Sequence, residues 1–213
     1  MKAFGKTVGK TVVFCLVMML MCSFVYPLAL TGVSQLTMKA KADGNKVDKD
    51  GNLTTDTKEA VGSALIGQDF TEDCYFQGRV SAVNYNTYTE EQKESGEYAG
   101  VASGSYNYAN SNPELKERME KDLEQFLKEH PGVKAEDVPA ELLTASGSGL
   151  DPHISPESAE VQIPTVAKNS GLSEEEVKKI VEENTEKKTL GVFGEERVNV
   201  LGCNLDIAAA MGK

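Results

Sequence analysis

Tryptophan is absent from this 213-residue sequence, histidine occurs twice and cysteine four times. Cys15, Cys22, Cys74 and Cys203 form no CxxC pair, and neither His130 nor His153 belongs to a cluster with them, so zinc-ligand spacing is missing. The phosphate-cradling sequence GxxxxGK[ST] is missing too. Its nearest approach, Gly5 to Lys10, precedes an apolar run where such a loop would follow a strand. No DKTG-type phosphorylation sequence occurs, and Ser146-Gly147-Ser148-Gly149 lacks the GxSxG spacing of a nucleophile turn. Positive charge is scarce outside the N-terminus. The net charge is −11, Lys2, Lys6 and Lys10 are the only charges before residue 39, and residues 39–213 therefore carry −14. So acidic a chain repels nucleic-acid phosphate, which argues against that partner.

An ordinary folding composition remains, 40% hydrophobic and 26% charged, at a length that suits one soluble domain plus an anchor. The anchor reads TVVFCLVMMLMCSFVYPLAL, residues 11–30, about 20 residues or roughly 30 Å of helix, matching a hydrocarbon core. Cys15 and Cys22 serve there as small hydrophobes. A cleavable signal peptide is the alternative, with Ala40-Lys41-Ala42 as its small-x-small site. That site lies ten residues past Leu30, and the run exceeds a signal core of about 7–15 residues. Met21 before Cys22 also departs from a lipoprotein site. Lys2, Lys6 and Lys10 place residues 1–10 in the cytoplasm and the domain outside, against a weaker opposing signal from Lys39, Lys41 and Lys46.

Residues 31–59 read as a juxtamembrane linker and 60–213 as an α+β (mixed α/β) domain. The linker's DxDG spacing suggests a calcium loop, but aligning Gly51 with the turn glycine puts Lys46 and Thr57 at the two end ligand positions. AVGSALIGQDF and YFQGRVSAVNY read as extended, and residues 86–111 as a long irregular loop. Asn112-Pro113 opens a helix with Leu115, Met119, Leu123, Phe126 and Leu127 on one face, stopped by His130-Pro131-Gly132. At that end His130 is expected to meet the terminal carbonyls. Ser155-Pro156 opens a second helix, interrupted near Pro164. Ser173 and Glu176 form a capping box for a third, with Val177, Ile180 and Val181 inward. Residues 197–201, RVNVL, read as a buried strand.

Two local groupings invite chemistry. Ser148, Asp151 and His153 contain triad residue types, which would make an anchored hydrolase, although Asp151-Pro152 and Ser155-Pro156 account for the same residues as turns. Cys74 and Cys203 would be free to pair in an oxidising compartment. Gly147 and Gly149 suggest a tight turn that presents backbone to a partner, so valine at both is expected to impair folding or assembly.

Several stretches in order resemble the C chain of the Kdp-type potassium-transporting ATPase: YPLALTG (26–32), GSALIGQDF (62–70), YFQGRVSA (75–82), SNPEL (111–115), LLTASGSGLDPHISPESAEVQIPTVAK (142–168), GLSEEEV (171–177) and LGVFGEERVNVLGCNL (190–205). The chain departs from the family pattern at Val80, where proline is usual, at Thr165, where arginine is usual, and at Gly202-Cys203. The resemblance implies a non-catalytic subunit of a high-affinity, ATP-driven potassium uptake complex. Its partners would be a potassium-binding A chain, a P-type ATPase B chain, a small F chain and the bilayer. It implies no firmly bound cofactor, ATP being engaged through the B chain, whose ATP affinity the C chain is thought to raise. Gln162, with an amide that both donates and accepts, is the candidate should nucleotide touch this chain directly; the alternative is that it bridges backbone around the break at Pro164. Tyr26, Pro27, Gly32, Gly147, Gly149 and Asp151 are the candidate subunit contacts. A domain outside the cell cannot meet cytoplasmic ATP, so that effect would cross the membrane as a coupling between sites.

Overall fold

The structure, a computed structural model, describes residues 2–96 and 100–212. Its N-terminal helix is longer than the apolar run predicts: α1 (Lys2–Leu20) continues through a π-turn (Met21–Val25) into α2 (Tyr26–Thr37). Pro27 causes the π-turn. Its ring lacks an N–H and crowds the preceding turn, so the helix widens and the Tyr26 N–H reaches back five residues to the Met21 carbonyl. Phe4–Thr37 forms a 34-residue candidate span whose most apolar 18-residue window has a mean hydropathy of 2.4, and none of that window is buried against the rest of the chain.

The segment after it, read from the sequence as a juxtamembrane linker, carries short elements. Gln35 Nε2 donates to Asp43 Oδ1 at 2.7 Å across the short α3 (Lys39–Ala42). Strand β1 (Lys46–Val47) pairs antiparallel with β2 (Gly62–Ser63), and Val47 is buried. The DxDG stretch is an Asx turn in which the N–H groups of Asp50 and Asn52 both donate to Asp48 Oδ1 at 2.9 Å. The 86–111 stretch is likewise not wholly irregular. It holds α4 (Glu90–Glu94), opened by a Thr89/Gln92 capping box.

Side-chain caps set the remaining helices. Asn112 caps α5 (Pro113–Glu129) and Ser155 caps α6 (Pro156–Glu160); α7 (Ile163–Ser170) follows a break at Val161-Gln162 and ends on the left-handed Gly171. Strand β3 (His153–Ile154) precedes α6, and the Ser173/Glu176 box opens α8 (Glu174–Glu183). Strands β4 (Thr185–Glu186) and β5 (Arg197–Asn199) complete an antiparallel sheet ordered β3-β5-β4. The predicted 197–201 strand stops at Asn199 because that side chain accepts the Gly202 N–H and caps α9 (Val200–Ala210). Phe76, Phe126, Ile154, Val166, Val177, Val198, Cys203 and Ile207 form the core between these helices and the sheet. Cys74 and Cys203 are both buried and not joined to each other, so the disulfide they could have formed is absent among the described residues. Burial pushes the Cys203 thiol up to about 12, where it stays protonated and packs as an apolar group.

Candidate functional site

The family-like stretches, scattered through the sequence, converge on one patch. Val80 forms a bridge with Ala145, and the Ser146 N–H donates to the Val80 carbonyl at 3.2 Å. Ser81 Oγ donates to the Gly149 carbonyl at 2.6 Å, while the Gly67 N–H donates to the Leu150 carbonyl at 3.0 Å. The 146–151 loop is therefore pinned from two sides. Gly149 has φ +67°, and a Cβ there would sit 2.7 Å from the Gly104 carbonyl oxygen and 2.8 Å from Val83. Gly147 faces open space and needs no such conformation. Of the two glycines read as a tight turn, Gly149 alone is one by necessity.

Tyr85, which the sequence reading missed, holds the middle of this patch. Its ring fills the space beside Gly67 and Gly78, and its hydroxyl donates to the Arg79 carbonyl at 2.5 Å. Burial, then the nearby Asp151 and Asp69, push the phenol up to about 12. Asn84, Tyr85 and Asn86 all have φ between +47° and +56°, held by the Ser81 hydroxyl accepting from the Tyr85 N–H at 2.9 Å. A run of asparagines around an aromatic was the available signal.

Beneath the patch two buried amides grip consecutive backbone units. Asn204 Oδ1 accepts from the Phe76 N–H at 2.8 Å and its Nδ2 donates to the Phe76 carbonyl at 2.9 Å. Gln162 Oε1 accepts from the Gln77 N–H at 2.8 Å, and its Nε2 donates to the Gln77 carbonyl at 3.2 Å and the Ser158 carbonyl at 3.0 Å. Gln162 is fully buried. Each side chain pairs with an extended backbone as a neighbouring strand would, and this replaces the strand that YFQG was expected to form.

Above the patch lies a charged cleft of about 680 Å³ that includes Arg79, Glu141, Asp151, His153 and Arg197. Arg79 Nη1 is 3.4 Å from Asp151 Oδ2, and His153 lies between Asp151 (3.7 Å) and Glu186 (3.8 Å). The His153 ring and its N–H, with Arg79, hold the Asp151 carboxyl below the usual carboxylate range against the opposing effect of burial. Arg79 Nε and His153 Nε2 are buried without a hydrogen-bond partner among the described residues. Ser148 Oγ instead accepts from the Leu150 N–H at 3.1 Å and lies 3.5 Å from Ser146 Oγ. No described hydrogen bond joins Ser148 to His153, so the triad geometry is absent.

A second cleft, about 870 Å³, includes His130, Asp73, Glu160 and Lys168 in its lining. His130 is buried and stacked on Phe126 with ring centroids 4.1 Å apart, but neither ring nitrogen has a hydrogen-bond partner among the described residues. Among the described residues the ring makes no hydrogen bond to the helix-end carbonyls; the His130 backbone N–H donates to the Phe126 carbonyl instead, at 2.8 Å. Burial lowers the His130 pKa, with Glu129 and Asp73 opposing. The folded chain thus binds this proton less readily than the unfolded chain, and the stability it contributes is full above the ordinary histidine pKa of about 6.5 and lost as pH falls below it. His130→Phe keeps the stacking and removes two unsatisfied nitrogens. Unfolding titrations from pH 5 to 7 should show the variant at least as stable as wild type at pH 7, with a flatter decline below about 6.5. An unchanged slope would contradict this.

Tyr26, Pro27 and Gly32 are all exposed on α2, spread around the helix; a Cβ at Gly32 would meet nothing within 4 Å. Comparison with known proteins then accounts for the convergence. Residues 8–209 match the family model of the K+-transporting ATPase, c chain. The chain is 54% identical over 212 residues to the potassium-transporting ATPase KdpC subunit of Clostridium kluyveri, spanning 100% of this chain and 98% of that one. It is 52% identical to the subunit of the same name from Clostridioides difficile, across 97% and 99% of the two chains. A third, from Caldanaerobacter subterraneus, is 44% identical across 98% of each.

Proposed function

The chain belongs to the KdpC family, the c chains of the K+-transporting ATPase, and from that premise we propose that it is a non-catalytic subunit acting through assembly. It is an accessory subunit of the Kdp potassium-uptake complex. On this reading α1 and α2 anchor it beside the potassium-binding A chain, the P-type ATPase B chain and the small F chain, with the acidic domain outside the cell. The observation that carries the proposal is the state of Gln162: all three hydrogen bonds of its buried amide go to backbone of this chain. ATP is then engaged by the B chain alone, and any rise in its ATP affinity reaches it as coupling between two states of the complex. Asp151, whose side chain stays 31% exposed beside Arg79, offers a polar contact for a partner surface. Gly149 fixes the loop below it, Gly147 gives a partner close access to backbone, and Tyr26, Pro27 and Gly32 form the contact within the membrane.

Affinity purification of the tagged full chain in mild detergent tests this. The expected result is co-purification of a P-type ATPase subunit, with ATP hydrolysis confined to the complex and none by the chain alone. Hydrolysis by the isolated chain, or a chain that never retains an ATPase partner, would overturn it.

A further inference from the structure

Between β4 and β5 the chain turns back through residues 187–196, and the tip of this hairpin holds apolar side chains in water. Leu190, Val192 and Phe193 are 86%, 75% and 65% exposed. The tip is a built structure. Thr189 and Phe193 exchange backbone hydrogen bonds of 2.8 and 3.0 Å, and the Gly191 N–H donates to the Lys188 carbonyl at 3.0 Å. Lys188 pairs with Glu195 at 3.0 Å across the stem, and Arg197 with Glu186 at its base. Leu190 is held at φ +55°, a left-handed conformation that a leucine rarely adopts. The hairpin therefore accepts backbone strain to display a leucine that the domain itself does not cover. Strain and an exposed apolar cluster in one place point to a surface made for a partner.

The hairpin's placement and charge identify the partner. At its base Asn199 Nδ2 donates to the Ala64 carbonyl at 2.9 Å, and the Leu201 side chain backs onto Gly62. The stem is thus fixed to the folded segment that leaves the membrane helix. On that same segment Leu53, Val61, Leu65 and Ile66 are also exposed. A bilayer surface is a poor occupant, because residues 39–213 carry −14 and Glu195 and Glu196 match Lys187 and Lys188 along the stem, so anionic headgroups would repel the domain. A second copy of the chain is also a poor one. Three side chains cover far less than the roughly 800 Å² per partner of a stable protein interface. As a second attachment the same tip is enough, because a chain already tethered by its membrane helix presents it at a high effective concentration.

We propose that the 187–196 hairpin is a docking element, and that Leu190, Val192 and Phe193 seat in an apolar pocket on the outer face of a membrane-embedded subunit of the same complex. This rests on the reading of the chain as an assembled subunit with its domain outside. The test places the photo-crosslinking residue p-benzoylphenylalanine at Phe193 in the full chain, expressed with its complex, and at the exposed Glu117 of α5 as control. Irradiated membranes should give an adduct between position 193 and another subunit of the complex, identified by mass spectrometry, well above the level at 117. Adducts only with lipid, only with a second copy of this chain, or no stronger than the control overturn the proposal. In parallel, Leu190→Ser with Phe193→Ser should lower the partner retained through purification about tenfold while leaving thermal unfolding of the purified chain unchanged. Wild-type retention in that variant also overturns the docking role. If the unmodified chain retains its partners while position 193 fails to crosslink, only the hairpin assignment falls; if it retains none, the assembly reading falls with it.

Discussion

Gln162→Leu is expected to lower the stability of the folded domain by about 3–5 kcal/mol, since three buried backbone groups lose their partners at about 1–3 kcal/mol each and the new side chain recovers part of that as apolar contact. The groups are the N–H and carbonyl of Gln77 and the carbonyl of Ser158. In a chain of this size the loss corresponds to a fall in melting temperature of roughly 10 °C. Thermal unfolding of the purified chain in detergent, followed by circular dichroism, reads it. Asn204→Leu should act similarly through Phe76, because the two amides hold adjacent units of one strand-like segment. A residue whose role was to touch nucleotide would behave otherwise, with weaker ATP affinity and unaltered unfolding. That outcome for Gln162→Leu would contradict the structural role given to it here.

The second large effect separates two glycines two residues apart. Gly149→Val should destabilise by about 3 kcal/mol or more, combining a left-handed β-branched residue with overpacking. The added atoms meet the Gly104 carbonyl and Val83, and the segment they displace is itself tied down, since the Gly104 N–H donates to the Ser148 carbonyl at 2.8 Å. Gly147→Ala faces open space and should change stability by less than about 0.5 kcal/mol. Denaturant midpoints of the two single variants decide the matter. Equal losses at both positions would mean that the loop is not held as described.

What the sequence made legible divides along physical lines. Helix starts were readable because their causes are local: Asn112, Ser155 and the Ser173/Glu176 box each cap a helix within three residues of themselves. The membrane helix was readable from its uncharged run, though not its end, because the helix continues through Ser34, Gln35 and Thr37, polar residues interleaved with apolar ones that mark no hydrocarbon boundary. Misreadings arose where a side chain replaces a backbone partner. RVNVL alternates like a strand, yet Asn199 ends it by capping α9. YFQG looks like a strand and is one only in the sense that Asn204 and Gln162, each far along the chain, stand in for its neighbours. The Asp48 turn imitates a calcium loop because the same carboxylate geometry that binds a cation also accepts two N–H groups. The candidate patch was found by its resemblance to a family. Tyr85 at its centre was not, because only tertiary packing puts its ring beside Gly67 and Gly78.

The central claim is that an outer domain serves a cytoplasmic ATPase without touching its nucleotide, and sidedness tests it most directly. The native thiols leave the experiment clean, since Cys74 and Cys203 are buried and Cys15 and Cys22 lie in the apolar helix. A cysteine placed at the exposed Glu117 of α5 is therefore the group that a membrane-impermeant maleimide should reach in intact cells, with any outer membrane first permeabilised. Labelling before lysis, equal to that after lysis and absent from the unmodified chain, is the predicted result. Protection in intact cells with full labelling after lysis would put the domain in the cytoplasm and return it to the reach of ATP.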